Sequence, residues 1–309
     1  MMNNVTAIII LNYKNYKETI KCISSILKST SNNFTIFVID NASNNNSLEE
    51  IETFFGDSVI VRYHESLSRD DLSQIVLIQA SENKGYAAGN NIGLRIAYNF
   101  GFNYLLVLNN DTIFVDNCLN QLIGTINSDN SILCVGPLLL KPDGSYDYNC
   151  AKRRPRLIDF FILSYFGRWL KTKKWENRYY YIKTKDKIQT VLDVDIISGS
   201  CMLFRSELFK KIDFFDEGTF LYYEEAIIHE KARKANFRIL INTFAEVIHL
   251  GAQSTKQLGK SDFTLKCEYR SSIYYLTKYR GLSKLEAKIV CFPQYLFILL
   301  YQLKLRIRY

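Results

Sequence analysis

The sequence predicts an α/β protein in which a mostly parallel central sheet is flanked by helices and followed by a helical C-terminal extension. Three observations carry that prediction. Short apolar runs alternate with segments whose apolar residues recur at helical spacing, the pattern of a sheet covered on both faces. The carboxylates of Asp40 and Asp111 stand just past the ends of two such runs, where an open α/β sheet presents its ligand crevice. A length of 309 residues, 48% hydrophobic and 23% charged, suffices for one large catalytic domain and excludes a disordered class.

Residues 5–11 form a continuous apolar run and read as the first strand, and residues 16–27 as a helix, since Ile20, Ile23, Ile26 and Leu27 share a face. Residues 35–39 read as the second strand and 48–55 as a short helix that Ser47 is placed to cap. A strand over 74–80, a helix over 87–100, a strand over 104–108 and a helix over 115–126 continue the alternation. Residues 63–73 interrupt it as a polar surface excursion. The longest irregular region, 141–190, opens on a Lys141-Pro-Asp-Gly144 turn and suits a lid or acceptor-side segment. Regular structure resumes as strands over 191–197 and 201–204, a helix over 224–235 and a strand over 238–241; helices over 263–279 and 285–305 close the chain.

The net charge of +8 is unevenly spread. Residues 151–185 carry 11 Lys/Arg against 2 Asp/Glu, and residues 256–309 carry 11 against 3, whereas residues 1–150 carry 9 against 15. The two basic blocks predict an anionic partner. Nucleic acid is set aside as that partner, because no zinc-ligand spacing, base-reading basic helix or RNA-binding aromatic signature is visible. The blocks are interleaved with Phe, Tyr, Trp and Leu, which suits an anionic membrane surface or a diphosphate-linked lipid. The apolar stretch 289–303 is short of a bilayer span, holds Pro293 and precedes Lys304, Arg306 and Arg308, so an interfacial helix is expected. Packing on the domain, or against a second copy in a homodimer, is the alternative. Seven scattered cysteines without a CxxC pair and a start without a basic n-region predict reduced thiols and a cytoplasmic protein, peripheral at the inner face of the cell membrane.

Eight segments in one order narrow the function. They are Leu11-Asn-Tyr13, Val38-Ile-Asp-Asn-Ala-Ser43, Asn83-Lys-Gly-Tyr-Ala-Ala-Gly-Asn-Asn-Ile-Gly93, Leu108-Asn-Asn-Asp-Thr112, Gly199-Ser-Cys-Met-Leu203, Phe214-Phe-Asp-Glu217, Phe220-Leu-Tyr-Tyr-Glu-Glu225 and His249-Leu-Gly-Ala-Gln-Ser254. Through them, residues 5–255 resemble family 2 glycosyltransferases of GT-A fold, particularly the rhamnosyltransferase-like bacterial branch. The resemblance implies a GT-A nucleotide-diphospho-sugar transferase domain over 1–255, with a nucleotide-binding half (1–135) and an acceptor-side half (136–255), followed by the extension 256–309. Absence of a glycine-rich turn after the first strand argues against a dinucleotide fold.

The resemblance also assigns roles. Asp40 is expected to contact the donor base or ribose, with Asn12 beside it, and Asn83, Gly85 and Asn90 to wall the nucleoside. Asn109, Asn110 and Asp111 occupy the place of the DxD motif, so Asp111 is the expected ligand of a divalent cation, Mg2+ or Mn2+, with His249 as a second. Glu225 is the expected general base and Glu224 its partner at a helix N-terminus, while Gly199, with Asp195 and Ser200, lines the sugar and acceptor side. His64 and His229 match nothing and are read as surface residues. Asn109 replaces an acid, Glu225 stands where Asp is usual, and Ile227 stands where a further acid is common. The implied reaction is inverting transfer of a sugar from a nucleotide-diphosphate donor, dTDP-rhamnose or a UDP-sugar, to a glycan or lipid-diphosphate-linked acceptor in surface polysaccharide synthesis, O-antigen or capsule. The departures keep a second class open, an inactive relative that binds nucleotide sugar or a partner enzyme, and a third, a membrane or structural module.

Overall fold

The computed structural model describes residues 6–29, 33–56, 59–63, 72–182, 189–251 and 261–307. Four parallel strands build the first half-sheet: β1 (Thr6–Asn12), β2 (Phe34–Asp40), β3 (Val59–Tyr63) and β4 (Ile75–Gln79). They are joined by β5 (Tyr104–Asn109) in the order β3-β4-β2-β1-β5. Helices α1 (Tyr16–Ser29), α2 (Ser47–Phe55) and α3 (Tyr86–Asn99) make the connections. β1 and β2 are buried at nearly every position, which is why they read as unbroken apolar runs instead of alternating ones. Ser47 does not cap α2: it is the helix's first residue, and its own N–H donates to the Asn45 side-chain oxygen. β3 is a fourth strand between the second helix and residue 74 that the sequence reading does not contain.

Past β5 the sheet reverses direction. β6 (Thr112–Phe114) and helix α4 (Cys118–Ile126) lead into β7 (Ile132–Leu140), and β11 (Cys201–Arg205) lies antiparallel between β5 and β7. β12 (Arg238–His249) runs parallel to β7 and ends the path beside β6. Two corrections to the sequence reading meet here. β7 carries Gly136 and Pro137, which ordinarily argue against a central strand, but its partner β12 skips from Asn242 to Glu246 beside Pro137, so the pairing breaks where proline has no N–H to give. That irregularity also lets β12 continue well past Ile241 to His249. The segment 191–197 divides into two short strands, β9 (Val191–Asp193) on β12 and β10 (Ile196–Ile197), the latter pairing with β8 (Ala151–Lys152).

The irregular region 141–190 contains helices α5 (Leu157–Leu163) and α6 (Lys173–Tyr179). Fully buried Asp159 ties them together, accepting from the Trp175 indole at 2.8 Å, from the Arg156 N–H at 2.7 Å and from Arg178. After α7 (Ser206–Lys211) and α8 (Glu224–Lys234) come α9 (Asp262–Arg280), α10 (Lys284–Val290) and α11 (Phe292–Ile307). The expected single last helix is thus two, broken at Cys291, with Pro293 tolerated in the first turn of α11. A second core of Phe160, Ile227, Tyr275, Leu276, Ala287 and Cys291 packs these C-terminal helices onto α5 and α8. Asp216 strengthens the attachment by accepting from Tyr274, Lys278 and Tyr279; burial opposes its charge, but these donors outweigh burial and hold its pKa well below the usual range. No helix among the described residues is long and apolar enough to cross a membrane.

Candidate active site

The ends of β2, β1 and β5 line up in register, Asp40 opposite Asn12 and Leu11 opposite Asn109, so one edge of the sheet collects most of the residues singled out. Asn12 is fully buried between two partners: its amide donates to Asp40 at 2.7 Å and its oxygen accepts from Thr19 at 2.8 Å. Asp40, 2% exposed, also accepts from the Ser43 N–H at 3.0 Å and the Ser43 hydroxyl at 2.5 Å. Both oxygens of Asp40 therefore already brace the turn after β2, where Ala42 and Asn44 take left-handed conformations. The Asn110 amide donates to the Thr19 hydroxyl at 3.0 Å, and that hydroxyl in turn donates to Asn12 at the end of β1.

The glycine-rich loop is fastened to the acceptor-side half. Gly85, at φ +96, lies so close to Phe220 that a Cβ would stand 2.1 Å from the Phe220 carbonyl oxygen, and the next N–H, of Tyr86, donates to that oxygen at 2.8 Å. The Asn83 side chain receives the Gly85 N–H at 2.9 Å and the Asn41 amide at 3.0 Å. Asn90, fully buried, donates to the Tyr86 carbonyl, while its own side-chain oxygen has no partner among the described residues. Asn91 clamps residues 215–217 through Phe215 and Glu217.

β12 pairs His249 with Thr112, which sets the imidazole beside Asp111 at 3.3 Å. Burial of His249 opposes its charge, yet the hydrogen bond and charge of Asp111 prevail and raise its pKa. Asp111 is 4% exposed and its backbone carbonyl accepts from Leu250. One carboxylate and one imidazole fit a divalent cation whose other positions are filled by diphosphate oxygens and water; among the described residues no third His, Cys, Asp or Glu joins them. The remainder of the Gly-Ala-Gln-Ser stretch after His249, residues 252–254, lies outside the described residues, as does His64.

Glu224 and Glu225 open α8 immediately after Tyr222 and Tyr223, two consecutive bulky residues at φ +74. Such backbone strain gathers at functional sites. The two acids point differently. Glu225 accepts the Gly199 N–H at 2.9 Å and lines a cavity of about 460 Å3. Glu224 is buried; burial first, then the charge of Glu225, pushes its pKa up to about 8. A Cβ at Gly199 would stand 2.6 Å from the Glu225 carboxylate and displace it, and the Gly199 carbonyl accepts from the Tyr86 hydroxyl at 2.8 Å. Ser200 links this corner to β5 by accepting the Asn109 N–H at 2.9 Å.

Tyr86 belongs to a quoted motif but received no role from the sequence. Its hydroxyl reaches Gly199, the residue that holds Glu225, and its phenol is pushed well above its usual pKa by burial first and then by the charges of Glu225 and Glu224. Asp40, Asp111 and Glu225 thus lie along one edge, but of the three only Glu225 lines the cavity. Asp195 instead accepts the Arg154 N–H at 2.8 Å. His229 is 8% exposed and so is no surface residue; burial lowers its pKa.

Comparison with known proteins gives the arrangement a context. The family model described as Glycosyl transferase family 2 matches residues 7–213. An N-acetylglucosaminyl-diphospho-decaprenol L-rhamnosyltransferase of Mycobacterium tuberculosis is 28% identical over 152 residues, 49% of this chain and 48% of that protein. A low-salt glycan biosynthesis hexosyltransferase of Haloferax volcanii is 25% identical over 244 residues, 79% of this chain and 66% of that protein. The chain therefore spans about half the length of the first of these relatives and 66% of the second. Among solved structures, GalNAc-T7 with UDP, GalNAc and Mn2+ superposes with a TM-score of 0.55 at 16% identity, covering 92% of this chain and 52% of that one. TarS of S. aureus does so at 0.50 and 13%, covering 94% and 70%. These likenesses establish the GT-A fold.

Proposed function

Since this chain belongs to glycosyl transferase family 2, we propose that it transfers a sugar, with inversion, from a nucleotide-diphosphate donor to a glycan or lipid-linked glycan acceptor. The observation that carries the reading is Glu225, which lines a cavity and is held by the N–H of Gly199, whose carbonyl in turn accepts from Tyr86 of the glycine-rich loop. In that position Glu225 takes the proton of an acceptor hydroxyl as the new bond forms, and no covalent nucleophile on the protein is required. The nucleoside lies against the loop 83–90, next to the strand ends that carry Asn12 and Asp40. Asp111 and His249 would hold Mg2+ or Mn2+, which when bound neutralises charge on the departing diphosphate.

The names of the two relatives support transfer of a rhamnosyl or other hexosyl group and, in the first, a diphosphate-lipid-linked acceptor; we take dTDP-rhamnose or a UDP-sugar as the donor and surface polysaccharide synthesis as the setting. A place at the inner face of the cell membrane agrees with the exposed apolar side chains of α11, among them Leu299 and Leu303, followed by Lys304. Pairing of α11 between two copies is the alternative use of that face.

The test is Glu225→Gln, assayed with a panel of activated sugars for nucleoside diphosphate release and with Mn2+-dependent thermal shift for nucleotide binding. Transfer should fall by about 10²- to 10⁴-fold while binding is retained. A variant that turns over like the parent would remove Glu225 as the base, and a parent chain that binds nucleotide without any turnover would favour the inactive relative.

A further inference from the structure

We propose that the cavity beyond Glu225 receives the diphosphate and the first apolar units of a lipid-linked acceptor, with Lys152, Arg168 and Lys171 facing the anionic linkage. The proposal rests on Glu225 being the acceptor base. Because Glu225 is part of the cavity wall, a hydroxyl presented to it leaves the rest of the acceptor in this space. Its volume of about 460 Å3 is that of a small-molecule site.

Beside the carboxylates of Glu225 and Glu268, the lining offers a cationic and an apolar part. The cationic part consists of Lys152, Arg168 and Lys171. The neighbouring cations Arg154 and Arg178 are engaged by Glu230 and Asp159, whereas these three make no ion pair among the described residues. Three such groups match a diphosphate, and the planar guanidinium of Arg168, lying 4.5 Å from the Tyr165 ring centre, is held ready for two-point recognition. The apolar part includes Phe160, Leu163 and Phe297, with Phe297 stacked on Tyr165 at 4.8 Å, so the segment after α5 and helix α11 close one wall together. α5, the segment after it and α11 expose Ile158, Trp169, Phe292 and Leu300. An apolar chain can therefore leave the cavity across apolar surface, which a purely sugar acceptor would have no use for.

The chain's two tryptophans, Trp169 and Trp175, both stand in this segment, so their emission reports on the site. Titration of the full chain with geranylgeranyl diphosphate should change that emission saturably. Inorganic pyrophosphate and geranylgeraniol should each bind at least tenfold more weakly, because each lacks one half of the chemistry. Arg168→Gln combined with Lys171→Gln, both at exposed positions, should weaken geranylgeranyl diphosphate at least tenfold while UDP or dTDP with Mn2+ still shifts the melting temperature. Unchanged affinity in the double variant, pyrophosphate binding as tightly as the lipid, or a saturable response to a free glycan alone would each overturn the proposal. Nucleotide binding without any response to geranylgeranyl diphosphate overturns it and leaves the transferase reading standing; loss of nucleotide binding by the parent chain would strike at that reading instead.

Discussion

Alanine at Gly85 should be far more damaging than alanine at Gly56, and the comparison isolates a backbone contact between the two halves of the site. Both glycines have positive φ, +96 and +57. At Gly56 a Cβ would meet nothing within 4 Å, so only a backbone penalty applies, and with φ +57 and ψ −133, outside the left-handed helical region, it is roughly 1–3 kcal/mol. At Gly85 the pair φ +96, ψ −174 lies in a region almost reserved for glycine, with a penalty of roughly 1–3 kcal/mol. Its Cβ would also stand 2.1 Å from the Phe220 oxygen, against a minimum tolerable contact of 3.0 Å, so one backbone segment must retreat by 3.0 − 2.1, or 0.9 Å. That movement pulls apart the 2.8 Å hydrogen bond from Tyr86 to Phe220 and displaces either the nucleoside loop or the entry to α8. A misplacement of about 1 Å is worth on the order of 100-fold in rate. Gly85→Ala is therefore expected to lose the backbone penalty and the hydrogen bond together, about 3–5 kcal/mol, and about 100-fold in turnover, and Gly56→Ala the backbone penalty alone, roughly 1–3 kcal/mol, with turnover unchanged. Urea denaturation followed by tryptophan emission gives the first pair of numbers, and nucleoside diphosphate release the second. Equal effects at the two positions would refute the argument.

Three more perturbations follow from the structure. The raised pKa of Glu224 means that its stabilising contribution is complete below its ordinary value of 4.5 and is lost as pH rises through about 8. Glu224→Gln should therefore gain on the parent chain between pH 5 and pH 8, by at most about 1.4 kcal/mol per pH unit, and a constant gap in chemical denaturation would contradict the assignment. Asp216→Asn should weaken the hold of the C-terminal helix by roughly 1.5–3 kcal/mol and speed amide exchange in residues 271–280, while an exchange pattern like the parent's would mean that the second core alone retains the helix. Leu299→Asp with Leu303→Asp, at half-exposed positions, should sharply reduce sedimentation with vesicles containing anionic lipid without lowering the melting temperature; undiminished sedimentation would point to the alternative use of α11 between copies.

Local pattern determined much of this protein. The alternation of apolar runs with helical periodicity located β1, β2, β4 and β5 and the helices between them, because a strand buried on both faces must be apolar throughout and a surface helix must be apolar on one side. The acids at strand ends and at the start of α8 were equally legible, since strand ends and helix starts are local events. β7 escaped because Gly136 and Pro137 contradict a central strand until the irregularity in β12 is seen beside them. Only the tertiary structure decided that Asn110 reaches Thr19, that Gly199 holds Glu225, and that Tyr86 joins the loop to Gly199. Each of those contacts joins segments far apart along the chain, and such meetings are set by strand register and by the packing of whole elements, which no window of neighbouring residues contains.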